Sequence, residues 1–219
     1  MRIFAAAALF DNDGTLLSSL DSVVRCWTRW AGEYGVTAED FARIGLHGRP
    51  AAEIVADLLP ADRVPEALRR IDELELEDVT GPDGGGVAPL PGSVELTGAL
   101  PADRWAVVTS ATRRLAEARL ARAGLSAPLV VAAEDITRGK PDPEPYLLAA
   151  AELGVDPARC VVFEDAPAGV AAGRAAGMTT VALATTHRPD ELDADVVIKD
   201  LSAVSVQVTA GGLEIVAGE

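Results

Sequence analysis

Cysteine and histidine are scarce in this 219-residue chain, with two of each. Cys26 and Cys160 offer neither a disulfide framework nor a metal-ligand spacing, so a reducing cytosol is the expected compartment. Positive charge is also short: 19 Lys and Arg stand against 34 Asp and Glu, a net charge of −15. Nucleic acid and anionic membrane both demand a basic face, so neither is expected as a partner. A small anionic substrate stays open, because local positive groups override a global charge. No apolar stretch has the length to cross a membrane. Arg2 and the apolar run after it have the outline of a short signal peptide. However, Asp11 and Asp13 follow at once, and no small-residue cleavage region precedes them. The dinucleotide fingerprint G-x-G-x-x-G is absent, and the triple glycine 84–86 lacks the Lys-Ser/Thr of a phosphate loop.

What is present is ordinary for a globular protein: 49% hydrophobic and 24% charged residues. The length allows one domain, or one domain with an insert. Residues 3–10 form a continuous apolar run ended by turn residues, the pattern of a strand covered on both faces. Similar runs recur at 105–109, 128–132, 160–163, 179–183 and 196–198, and alanine-rich helical stretches at 112–123, 143–153 and 166–176 separate several of them. Strand–helix alternation predicts an α/β fold with a parallel sheet. Residues 21–79 break the rhythm with three helical stretches at 22–34, 51–59 and 64–79. Trp27 and Trp30, three apart, share one helix face in this segment. Residues 81–92 (GPDGGGVAPLPG) read as a linker back to the core, and the tail as a terminal hairpin. Gly169, Gly173 and Gly177 recur every four residues, a pattern expected for close helix–sheet packing.

The first apolar run ends in Asp-Asn-Asp-Gly-Thr (11–15). Extended residues i and i+2 point the same way, so Asp11 and Asp13 can face one crevice. In open α/β sheets, ligands bind beyond the carboxyl ends of the strands. A hairpin turn at Asn12-Asp13-Gly14 is disfavoured, since the residues after Leu17 make a poor partner strand. A calcium loop starting at Asp11 fails, because Leu16 stands where its glycine belongs and Ser22 where its bidentate acid belongs. Later strands also end in chemistry: Thr109 and Ser110 before a helix, Lys140 in a loop, then Glu164-Asp165. Singly, each has a plain explanation as a cap or a solvated charge. Together they would gather four carboxylates, a lysine and a hydroxyl at one sheet edge. Crowded carboxylates need a cation, and Mg2+ takes hard oxygen ligands together with substrate phosphate. A carboxylate can also act as a nucleophile while a second one moves a proton.

Four motifs in order, FDNDGTL, VVTSAT, RGKPDP and VFEDAPAG, resemble the haloacid dehalogenase superfamily over nearly the whole chain. The resemblance implies a Rossmann-like parallel-sheet core (1–17 and 88–219) with a helical cap (18–87) inserted after the first strand. It implies Asp11 as nucleophile and Asp13 as general acid and base, with Ser110, Ala111 and Lys140 holding phosphate. It further implies Mg2+ on Asp11, Asp13 (by its carbonyl) and Asp165, with Glu164 in or beside that shell. IGLHGRP (44–50) looks like the cap of sugar and polyol phosphatases acting on glycerol phosphate or 2-deoxyglucose 6-phosphate, making His47 and Arg49 candidate substrate contacts. Two positions depart from the family pattern: Asn12 replaces the usual apolar residue, and Ser18 an aspartate. Val23 stands near the place of the cap histidine of β-phosphoglucomutase, which argues for hydrolysis over a mutase, and Asp13 argues against dehalogenation. The expectation is a cytoplasmic, Mg2+-dependent phosphoric monoester hydrolase, monomeric or a small homo-oligomer. A phosphomutase and a non-catalytic phosphometabolite-binding regulator are the alternatives.

Overall fold

The computed structural model describes residues 1–44 and 49–218. The chain begins with β1 (Arg2–Ala5), β2 (Ala7–Phe10) and the short β3 (Leu17–Ser18). Four helices follow: α1 (Leu20–Tyr34), α2 (Ala38–Ile44), α3 (Ala51–Leu58) and α4 (Val64–Thr80). Then come β4 (Ala88–Pro89), α5 (Ser93–Ala99), β5 (Trp105–Val108), α6 (Arg113–Arg122) and β6 (Val130–Val131). The chain closes with α7 (Glu144–Glu152), β7 (Cys160–Glu164), α8 (Pro167–Ala175), β8 (Thr179–Leu183), β9 (Val196–Ile198), β10 (Val204–Thr209) and β11 (Gly212–Ala217).

Six strands form one parallel sheet in the order β6-β5-β2-β7-β8-β9. β2 lies centrally, with β5 on one side and β7 on the other, so the strand order reverses beside it. That is the position where open α/β sheets leave a ligand crevice. Every residue of β2, β5 and β7 is buried, which explains sequences that are apolar throughout except for Glu164 at the end of β7.

The apolar run 3–10 is not one strand. It divides at Ala6, whose N–H donates to the Arg159 carbonyl at 2.6 Å. β1 instead joins β11 and β10 in an antiparallel three-stranded sheet, with Ile3 and Ala5 buried and Arg2 and Phe4 exposed. The glycine- and proline-rich linker contains a 3-10 turn at Gly84–Gly86, and β4 within it pairs with β3. Helix α2 was not anticipated from the sequence. Its start carries a reciprocal cap, in which Asp40 N–H donates to Thr37 Oγ1 and Thr37 N–H donates to the Asp40 carboxylate. Of the spaced glycines, Gly173 allows close approach: a Cβ there would lie 3.0 Å from Thr180 and 3.2 Å from Val162. Gly177 has a different role, following α8 in a left-handed conformation (φ +74°).

The helical segment has its own apolar cluster, centred on Trp27, Trp30, Val55 and Ile71. The two indoles meet edge to face at 5.3 Å. Helix α4 belongs to both sides. Ile71 and Leu74 pack among the helices, while Leu76 and Val79 pack against the α/β core. Among the described residues, no helix is long and apolar enough to cross a membrane.

Candidate active site

Asp11 follows β2 directly, and its N–H donates to the Phe163 carbonyl at 2.9 Å, continuing the pairing with β7. This register sets Asp11 beside Glu164, the last residue of β7. Lys140 arrives from the loop before α7 and is 2% exposed. Its Nζ donates to Asp11 Oδ1 at 2.5 Å, to Glu164 Oε1 at 2.6 Å and to the Val108 carbonyl at 2.9 Å. One buried ammonium thus joins the ends of three adjacent strands. Burial opposes its charge, but Asp11 and Glu164 outweigh that and hold its pKa above the ordinary lysine value.

Glu164 is held on both oxygens. Oε1 accepts from Lys140 and from the Tyr146 hydroxyl at 2.9 Å, and Oε2 accepts from the N–H groups of Asp165 and Ala166. Gly169 makes room for it, since a Cβ there would fall 1.7 Å from Glu164 Oε1. Asp165 accepts from the Thr15 hydroxyl at 3.2 Å and from the Thr186 hydroxyl. Burial pushes Asp165 up to about 7, with Glu164 adding to the effect. Burial likewise lifts Asp11 well above the usual carboxylate range, against the pull of Lys140.

Ligand oxygens of Asp11, Glu164 and Asp165 all lie within 4.8 Å of one another. Three buried carboxylates and one lysine leave negative charge uncompensated, and the donors are hard oxygens. The set therefore fits a divalent cation of the Mg2+ type. Among the described residues, Glu164 already accepts from four donors, whereas Asp11 accepts from Lys140 alone and Asp165 from two hydroxyls, so Asp11 and Asp165 have the greater capacity left to hold a cation.

Asp13 is turned to a different set of partners. Its Oδ1 accepts from Ser19 Oγ at 2.6 Å and pairs with Arg119 Nη1 at 3.1 Å, while Oδ2 accepts from Asn12 Nδ2 at 3.1 Å. Asn12 is fully buried, and among the described residues its own Oδ1 has no hydrogen-bond partner. Ser110 and Ala111 follow β5 and line the same cavity as Asp11 and Asp13. The Ala111 N–H donates to Thr109 Oγ1 at 3.1 Å. The cavity measures about 600 Å3 and is roofed by Val23, Trp27, Ile54, Leu68 and Arg49 of the helical segment. Arg49 pairs there with Asp57 at 2.8 Å and with Glu53 at 3.6 Å. His47 lies outside the described residues.

Arg119 and Glu75 escaped the sequence reading. Arg119 is 3% exposed and joins Asp13 to Glu75, whose Oε1 lies 2.9 Å from Arg119 Nη2. A signal for both was present. Arg119 follows Leu115 by four residues, and Glu75 falls between Ile71 and Val79 at the same spacing, so both charges interrupt apolar helix stripes.

A parallel sheet with an acidic cluster at its switch point is the architecture of an α/β protein whose site could hold a metal ion. The family model for haloacid dehalogenase-like hydrolases matches residues 5–177. The chain belongs to that family. It is 39% identical over 208 residues to hexitol phosphatase A of Escherichia coli, covering 93% of this chain and 95% of that one. It is 34% identical over 214 residues to glycerol-1-phosphate phosphohydrolase 2 of Saccharomyces cerevisiae, covering 91% and 84%. Among solved structures, a hydrolase from Pseudomonas syringae shares the fold, with a TM-score of 0.79 at 23% identity over 90% of this chain and 94% of that one. With phosphatases at this similarity over most of its length, the chain is a phosphoric monoester hydrolase.

Proposed function

We propose that the enzyme hydrolyses a small sugar or polyol phosphate, using Mg2+ and an aspartyl-phosphate intermediate on Asp11. The observation that carries this reading is the buried Asp11–Lys140–Glu164 cluster with Asp165 alongside, at the end of the central strand. The relatives named for hexitol and glycerol-1-phosphate support the substrate class.

The free carboxylate oxygen of Asp11 attacks phosphorus, and the ester P–O bond breaks. Asp13 delivers its proton to the departing alcohol oxygen. A water molecule then attacks the phosphorus of the aspartyl phosphate and gives a proton to Asp13, which releases inorganic phosphate and restores Asp11. Lys140 fixes Asp11 Oδ1 and favours its ionised form. Ser110 and the Ala111 N–H hold phosphoryl oxygens, with Ala111 exchanging its present bond to Thr109. Asp11, Asp165 and the Asp13 carbonyl are the positions for Mg2+, which supplies positive charge to the phosphoryl oxygens. Residues 18–87 act as a cap that excludes water and selects the alcohol, with His47 and Arg49 as its contacts.

The test is phosphate release from a panel of glycerol, hexose, 2-deoxyhexose and hexitol phosphates, with Mg2+ and with chelator. The expected result is Mg2+-dependent release that favours one sugar or polyol. Turnover without free phosphate would instead mark a phosphomutase. An Asp11→Asn variant keeps the fold and loses activity by at least about 1,000-fold, because an amide cannot serve as the nucleophile. Circular dichroism and the same phosphate assay check both halves of that expectation.

A further inference from the structure

We infer that Arg119 is a positioning residue for Asp13, and that Glu75 ties its guanidinium to the helical segment. The inference rests on the reading of Asp13 as the general acid. It goes beyond that reading by giving a role to a charged pair outside the four motifs.

Among the described residues, Asp13 receives three donors: Ser19, Asn12 and Arg119. Only Arg119 carries charge. A carboxylate that protonates a leaving oxygen must meet it within hydrogen-bond reach, so its rotamer matters as much as its proton. Arg119 holds Oδ1 from the core side, since it stands on α6. Its other terminal nitrogen meets Glu75 on α4, which is 7% exposed. A buried guanidinium requires partner charges, so its place is fixed jointly by Asp13 and Glu75. Both carboxylates act on Arg119, and together they hold it charged against the cost of burial. A second polar tie runs beside it: Thr112 Oγ1 donates to Asp72 at 2.7 Å, again between α6 and α4. With Thr112–Asp72 available to dock the two helices, Arg119 has a further consequence at Asp13 that docking alone does not need.

A purely structural Arg119 would affect all substrates alike. A residue that positions the general acid would matter most where the leaving group needs a proton. The experiment measures leaving-group release in single turnovers, for the best alkyl phosphate of the panel and for p-nitrophenyl phosphate, whose leaving group departs unprotonated. The variants are Asp13→Asn, Arg119→Lys and the double change Arg119→Met/Glu75→Gln. The double change removes both buried charges together and so avoids stranding one of them. Arg119→Lys keeps the charge but loses the fork, and serves if the double variant does not fold.

The double variant is expected to release the alkyl alcohol about 10-fold or more slowly, with p-nitrophenolate release changed by less than about 3-fold. Arg119→Lys should show a smaller loss in the same direction. Equal losses on both substrates, or none, would overturn the inference while Asp13→Asn remains selective. An Asp13→Asn variant that slows both substrates equally would contradict the general-acid reading itself, and this inference with it.

Discussion

At the scale of single residues, the site is a problem of charge placed out of water. Asp11, Glu164 and Asp165 are buried together, and Lys140 neutralises only part of them. The arrangement depends on space as well as charge. Glu164 occupies the volume that a side chain on Gly169 would fill. A Gly169→Ala change should therefore displace Glu164 and loosen Lys140. The expected result is a loss of about 1–3 kcal/mol in urea unfolding, together with weaker Mg2+ activation in the phosphate assay. Asp11, Asp13, Glu164 and Asp165 stand out in the sequence because they sit in short motifs at strand ends, and Lys140 because its loop motif leads into a helix. Arg119 was harder to see. It stands among Arg113, Arg114 and Arg122 on a short helix, where a charged residue is normally solvated. Only its position on the apolar stripe marks it as buried.

At the scale of elements, apolar composition and burial pattern separate. Residues 3–10 look like one buried strand, yet Phe4 is 72% exposed. Its exposure reflects an antiparallel sheet with one open face, which composition alone cannot distinguish from a doubly covered strand. The central strands were legible because both of their faces are covered. Within the helical segment, α1 and α4 are joined by the Trp30 indole, whose N–H donates to the Ala67 carbonyl at 2.8 Å. Trp30→Phe loses this bond and part of the ring volume at a fully buried position. The expected cost is about 2 kcal/mol, read as a lower urea midpoint. Trp27, stacked edge-on against Trp30, should then report a changed fluorescence spectrum in the folded state.

For the whole molecule, α4 is the element that links the helices to the core, through apolar contacts at Leu76 and Val79 and polar ones at Asp72 and Glu75. The four helices between β3 and β4 show in the sequence as a break in the strand–helix rhythm, but their packing against the core does not, because it depends on side chains from distant segments. Stability of the whole molecule should also respond to its two buried thiols. Burial pushes both Cys26 and Cys160 up to about 11 from 9.0. Between these values the unfolded chain has released protons that the folded one keeps, so stability falls as pH rises through that window. Below about 9, both states hold the protons and the effect vanishes. Because a chain of net charge −15 also repels itself more as pH rises, the comparison needs a reference. A Cys26→Ala/Cys160→Ala variant should lose stability less steeply than the parent when urea unfolding is followed from pH 8 to 11.

Covalent phosphorylation of Asp11 is the step on which the proposed chemistry turns. Enzyme mixed with the preferred substrate and Mg2+, quenched in acid within a turnover and mapped by peptide mass spectrometry, should carry one added phosphoryl group on the peptide that contains Asp11. The group should be absent with chelator and absent in Asp11→Asn. Rapid phosphate release with no such adduct at any quench time, and undiminished activity in Asp11→Asn, would contradict that chemistry.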